Sequence, residues 1–512
     1  MRPRLIAVAV VLAIVASSCS SSDEASSDEM STANSSTDAA TTTVAPTSAP
    51  SETIPSADDS SEDDAGSAAE ITNNVARRIE DPYFPTIGNA GYDVEHYGID
   101  LTVDISGSDT IVGTTTIELT LIESVDPLSF DLDENLVVDD VSIDGLSLGF
   151  TQADSKLLVD APSLDEFTTY EVVISYSGDP VSIDSGTLIG PIGWYDFANE
   201  SLAVGEPFGA RTWFPVNDHP SDKATYSFRL DVDDGETAIA NGVRTSVETV
   251  DGRQISTWEM TDPMASYLAT VAVGDFVVID AEPGAGTSVV DAVAATEQNG
   301  YALDFNQTDE MLVVFTDLFG PYPFDQYGAL VTSGGFGFAL ETQGRSLFSG
   351  AFVDGAELIE NIVAHELAHQ WFGNHVTPEA WDQIWLNEGF ATYGELLWFE
   401  FGRGADGETL ALDLWQRAAN NPTPAPRDPG KNDLFARSVY VRGGATLHAL
   451  RLTVGDDVFF DILREWSIRF GGANASTDDF VRLSEELSGE ELGRFFELWL
   501  GDGPLPTYPA VT

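Results

Sequence analysis

The stretch His365-Glu366-Leu367-Ala368-His369-Gln370-Trp371-Phe372-Gly373 decides how this chain is read. In a helix of about 3.6 residues per turn, His365 and His369 project from one side, four positions apart. Imidazole is a preferred zinc ligand, so the pair can hold one face of a tetrahedral ion. Glu366 lies about 100° round the helix from His365, near the open side of that ion. From there its carboxylate can take a proton from water during hydrolysis. His-Glu-x-x-His on a helix is thus a minimal hydrolytic zinc site.

Eighteen residues separate His369 from Glu388, which lies in Trp385-Leu386-Asn387-Glu388-Gly389-Phe390-Ala391. Glu388 is well placed as a third ligand from a second helix. Two histidines and one glutamate leave a fourth position open, as a catalytic zinc requires and a structural zinc does not. The chain has only six histidines, and two of them fall in this constellation.

The motif, its spacing and the Asn-Glu-Gly around Glu388 resemble the zinc aminopeptidases of the aminopeptidase N family, a group of gluzincins. That resemblance implies one zinc ion, peptide substrates with a free amino terminus, and removal of one residue at a time. It also implies a multidomain fold: an N-terminal all-β domain of antiparallel strands, then a mostly α-helical, thermolysin-like catalytic domain. It extends from about Gly91 to Pro506. Full-length relatives carry a large helical C-terminal domain over the cleft. It has no counterpart here, so a short form with a more open cleft is expected.

Further positions match the family residue by residue. In Gly334-Gly335-Phe336-Gly337-Phe338-Ala339-Leu340-Glu341-Thr342, Glu341 matches the glutamate that binds the substrate's amino terminus. Phe338, Leu340 and Thr342 replace the usual Gly, Met and Asn beside it. Glu206, twelve residues before Asp218, matches a second carboxylate that touches the α-amine. Tyr440, in Ser438-Val439-Tyr440-Val441-Arg442-Gly443-Gly444, matches the tyrosine that stabilises the tetrahedral intermediate, with Arg442 where relatives have lysine. Glu395, seven residues after Glu388 and on the same helical face, matches an acid that orients a ligand histidine. His96, His375 and His448 are read as packing or hydrogen-bonding residues, and His219 is not implicated in the site.

With 512 residues the chain can form two or three domains with substantial cores. Its 85 acidic side chains against 22 Lys and Arg leave a net charge of −63, which excludes nucleic acid as a partner. Such a surface suits high salt, where self-repulsion is screened. Arg2 and Arg4 precede the apolar run Leu5 to Val15, which is too short for a permanent membrane span. Ala16-Ser17-Ser18 then lead to Cys19, the single cysteine. Residues 1–19 resemble a bacterial lipoprotein signal, so export and lipid anchoring of Cys19 at the cell surface are expected. Residues 20–78 are Ser, Thr, Ala, Asp and Glu with scattered prolines, and are expected to form a disordered acidic linker.

From about Asp81 to Ile279 the apolar period is two, as in Tyr97-Gly98-Ile99-Asp100-Leu101-Thr102-Val103-Asp104. The β domain is therefore drawn over 79–280 and the catalytic domain over 281–512. An amphipathic helix is expected from Ala445, others at Asp456–Phe470, Thr477–Leu487 and Leu492–Leu500. The function expected is that of a zinc aminopeptidase with Glu366 as general base. The alternatives are a zinc endopeptidase with an open cleft, and a zinc-site binding lipoprotein that is catalytically silent.

Overall fold

A computed structural model describes residues 79–105, 110–161 and 164–508. The signal at 1–19 with Cys19, and the linker at 20–78, lie outside the described residues.

Alternating apolar residues build the first strand, Tyr92–Asp104, with Val94, Tyr97, Ile99, Leu101 and Val103 turned inward. A register shift between Val94 and His96 moves the buried positions from even to odd numbers. This strand lies in the middle of an eight-stranded sheet, between Thr110–Leu121 and Lys223–Asp233. Pairing with Thr110–Leu121 is antiparallel, whereas pairing with Lys223–Asp233 is parallel. One parallel pair is thus set among antiparallel neighbours. Parallel strands need a long crossover, and the chain between them supplies it by forming most of a second sheet. That sheet is five-stranded, with Val271–Gly274, Glu200–Val204 and Pro191–Phe197 in the middle of it.

The strand Phe276–Asp280, read from its alternation as the last of the β domain, pairs instead with Ser288–Ala294. It forms the edge of a mixed sheet that continues into Ala329–Val331, Ser346–Phe348 and Ala339–Leu340. Period two marks a strand without saying which sheet it joins. The helices follow: α1 (Gln298–Asp304), α2 (Thr308–Phe319), α3 (Glu360–Ala368), α4 (Trp385–Leu397) and α5 (Gly407–Asn420). Then come α6 (Arg437–Val454), α7 (Asp456–Phe470), α8 (Thr477–Ser488) and α9 (Gly493–Leu500).

Helix α6 starts at Arg437, eight residues before the expected Ala445. Gly443-Gly444 suggests a break by propensity, but here the pair is where α6 meets α4. A Cβ on Gly443 would lie 2.8 Å from the Cα of Gly389, and one on Gly444 would lie 3.3 Å from Thr392 Cγ2. On the other flank of α4, a Cβ on Gly394 would lie 2.6 Å from Ala368 Cβ in α3. Small residues therefore let three helices approach almost backbone to backbone. Close packing of this kind overrides the cost of about 1 kcal/mol for a helical glycine. Arg442, fully buried, binds α6 to the end of α9. Its guanidinium donates to the carbonyls of Trp499 and Pro422 at 2.6 Å and of Gly501 at 2.6 Å.

Gly443→Ala forces a methyl into backbone with no flexible side chain to yield, a cost of roughly 1–3 kcal/mol. The expected outcome is a fall in Tm of several degrees with reduced turnover, since α4 and α6 must part. Gly503→Ala, where an added methyl meets nothing within 4 Å, should leave the melting curve unchanged.

Candidate functional site

Helix α3 ends at Ala368, and His369 continues it as a cap with helical dihedrals of −55° and −27°. Both imidazoles accordingly leave the same side, their ring centroids 4.7 Å apart. The close crossing at Gly394 brings α4 alongside, so that Glu388 meets both rings. Its Oε2 lies 3.2 Å from His365 Nε2 and 3.6 Å from His369 Nε2. Bonds of about 2.0–2.1 Å at tetrahedral angles place neighbouring donors about 3.3–3.4 Å apart. The two measured separations are close to that, and all three donors lie within 4.8 Å of one another, so the set fits one zinc ion.

Each histidine has its remaining nitrogen engaged. His365 Nδ1 lies 3.0 Å from Glu395 Oε1, and the other oxygen of Glu395 accepts from Asn361 Nδ2 at 3.1 Å. His369 Nδ1 lies 3.1 Å from the carbonyl of Phe372. Such partners fix tautomer and ring orientation, leaving both Nε2 atoms free to face Glu388. The other histidines stand apart: the His96 ring, for instance, meets the hydroxyls of Thr225 and Ser227.

Glu366, buried on α3 beside His365, has its carboxyl pushed up to about 8 by burial, with both histidines pulling it down. Glu341 follows the strand Ala339–Leu340 and is also buried, its Oε1 3.9 Å from His369 Nδ1. Glu206 reaches in from the β domain, between the strand Glu200–Val204 and the turn at Ala210–Thr212. Burial raises its carboxyl well above the usual range, and Glu341, Glu388 and Glu366 add to the rise. One oxygen of Glu206 and one of Glu341 have no hydrogen-bond partner among the described residues. Tyr440, in the first turn of α6, stacks on His365 with ring centroids 6.0 Å apart. Burial first, then Glu388 and Glu206, hold its phenol protonated far above neutral pH.

The structure therefore brings Glu206, Glu341, His365, Glu366, His369, Glu388, Glu395 and Tyr440 into one place, while Cys19 lies outside the described residues. Sequence reading missed Tyr267. Its hydroxyl donates to the Gly373 carbonyl at 3.0 Å and accepts from Asn387 Nδ2 at 3.1 Å, joining the segments that bear His369 and Glu388. No motif surrounds Tyr267, so nothing in the sequence marked it.

Residues 303–499 match the Peptidase family M1 domain, and residues 93–268 the Peptidase M1 N-terminal domain. The chain is 26% identical over 461 residues to Aminopeptidase M1 of Arabidopsis thaliana, covering 81% of this chain and 51% of that one. It is 28% identical over 413 residues to Aminopeptidase N of Lactococcus lactis, covering 74% and 47% respectively. It spans about a third to a half of the length of the curated relatives that it matches. Among solved structures, the M1 zinc metallopeptidase of Deinococcus radiodurans superposes with a TM-score of 0.79 at 33% identity, over 85% of this chain and all of that one. A mutant of that metallopeptidase, bound to a Tyr-Ser-Ala substrate, superposes with a TM-score of 0.80.

Removing Glu395 should weaken metal binding about 10–100-fold, the usual effect of losing a partner of a ligand histidine. Competition with a chromogenic chelator measures this for Glu395→Ala. Stripping the metal from the wild type should lower Tm, because an ion held at 100 times its Kd stabilises the fold by about 2.7 kcal/mol.

Proposed function

This chain belongs to peptidase family M1, and on that premise we propose that it is a zinc aminopeptidase removing single residues from peptide amino termini. The observation that carries the reading is the pair of buried carboxylates, Glu341 and Glu206, each with an oxygen lacking a hydrogen-bond partner among the described residues. Buried anions of this kind call for a cationic ligand. The α-ammonium of a peptide supplies that charge at one fixed distance from its first peptide bond.

His365, His369 and Glu388 would hold the zinc, which when bound acidifies water and polarises the scissile carbonyl. Glu366 takes the proton of the attacking water and passes it to the leaving amine. Tyr440, kept protonated, donates to the oxygen that gains negative charge, a contribution of a few kcal/mol. Glu341 and Glu206 accept hydrogen bonds from the ammonium and align the first carbonyl, excluding amino-blocked chains.

Export and a lipid anchor on Cys19 belong to the same proposal. They rest on Arg2, Arg4, the apolar run to Val15 and the small residues before Cys19. The enzyme would then trim peptides outside the cell from the end of an acidic tether. Cys19→Ala should move the protein from the membrane fraction to the soluble one, and an unchanged distribution would defeat the anchor.

Hydrolysis of one fluorogenic peptide, with its amino terminus free or acetylated, tests the main reading. Strong preference for the free amine is expected. Equal cleavage of both would make the protein an endopeptidase, and cleavage of neither by the zinc-loaded chain would make it a silent binding protein. Glu366→Gln should keep its zinc yet lose at least about 100-fold in kcat. Tyr440→Phe should lose about 100- to 1000-fold in kcat with KM little changed.

A further inference from the structure

The main-chain carbonyl of Glu341 receives two side-chain amides, both from the turn that follows α3. Asn374 Nδ2 donates to it at 2.6 Å and Gln370 Nε2 at 3.1 Å. Gln370 Oε1 in turn accepts from the N–H of Gly344 at 2.8 Å, so one amide grips the chain on both sides of residues 342 and 343. Both side chains are fully buried. Buried amides ordinarily find partners at both ends. Asn374 Oδ1 has none among the described residues, so its donor half alone is engaged.

The turn bearing these donors is itself immobilised. Tyr267 holds the carbonyl of Gly373, while Lys223 Nζ donates to the carbonyls of Asn374 at 2.8 Å and His375 at 3.1 Å. Phe372, in the same turn, offers its carbonyl to the ligand His369. Metal ligand, turn, amides and Glu341 backbone thus form one short, hydrogen-bonded path. The distance from the ion's ligands to the carboxylate is set by groups with little freedom. In an aminopeptidase that distance must match the span from α-ammonium to first carbonyl, and an error of about 1 Å costs about 100-fold.

We propose that Gln370 and Asn374 are positioning residues that set the register between the metal-binding helix and the strand end carrying Glu341. They thereby hold the amino terminus one residue from the bond that is cut. Neither touches substrate; both act through the backbone of Glu341. The inference rests on the aminopeptidase reading.

Asn374→Asp and Gln370→Glu keep the shape of each side chain and remove the donor to the Glu341 carbonyl. Gln370→Glu still offers an acceptor to Gly344. Zinc content should stay at one per chain. The ratio of kcat/KM for the free over the acetylated peptide should fall about tenfold or more, chiefly through KM. In a Glu341→Ala background, adding Asn374→Asp should change that ratio no further, because the two act as one unit. A fall in Tm with the ratio unchanged overturns the proposal, as does an equal loss of ratio in both backgrounds. If the acidic variants do not fold, Asn374→Ala and Gln370→Met replace them; loss of zinc or of folding in all four means the residues serve the fold, and overturns it too. A wild type that cuts both peptides equally defeats the aminopeptidase reading itself. A selective wild type whose preference survives the substitutions defeats only the positioning.

Discussion

Negative charge out of reach of bulk water governs this molecule. Glu206, Glu341, Glu366 and Glu388 are all buried round a single point, supplied by four different segments. Two unit charges 4 Å apart repel by about 4 kcal/mol at an effective dielectric of 20, and Glu341 and Glu366 bring oxygens within 4.8 Å of one another. The two histidines alone do not offset them: burial and acid neighbours leave Glu206 and Glu341 with raised carboxyls. On the proposed function, the arrangement balances when a divalent ion and a ligand ammonium are both present. Affinity for metal and the proposed affinity for an amino terminus are in this sense one electrostatic requirement met in two places.

The β domain is part of the site, not merely a support for it. It contributes Glu206 directly, Tyr267 as a bridge between the two metal-binding segments, and Lys223 as a clamp on the turn after α3. Burial pushes the Lys223 ammonium down to about 7, and what holds it in place is a pair of backbone carbonyls. From the other side, α4 and α6 meet through glycines and bring Glu388 and Tyr440 to bear on His365.

The chemistry was legible in the sequence wherever it is tied to helical periodicity. His365, Glu366 and His369 share one helix, and Glu388 and Glu395 share another, so spacing alone puts each pair on a face. Resemblance added Glu206, Glu341 and Tyr440, which no periodicity could have joined. The start of α6 was not legible, because Gly443-Gly444 reads as a break until its neighbour Gly389 is seen. Nor was the sheet of Phe276–Asp280, since alternation says nothing about partners. Gln370 and Asn374 stand inside or beside the opening motif, yet their meaning depends on which carbonyl lies opposite. That is a tertiary fact.

Arg442 has a consequence for the order in which the protein becomes competent. It sits two residues from Tyr440, and its guanidinium donates to carbonyls of residues 499 and 501, almost sixty positions further on, as well as to that of Pro422. Until those carbonyls arrive, the buried cation in α6 has only the Pro422 carbonyl to bind, and the helix that presents the phenol is not yet tied to the end of α9. A nascent chain that has already made its metal ligands would still lack a settled Tyr440. The seating of Tyr440 thus depends on contacts made almost sixty residues further along the chain.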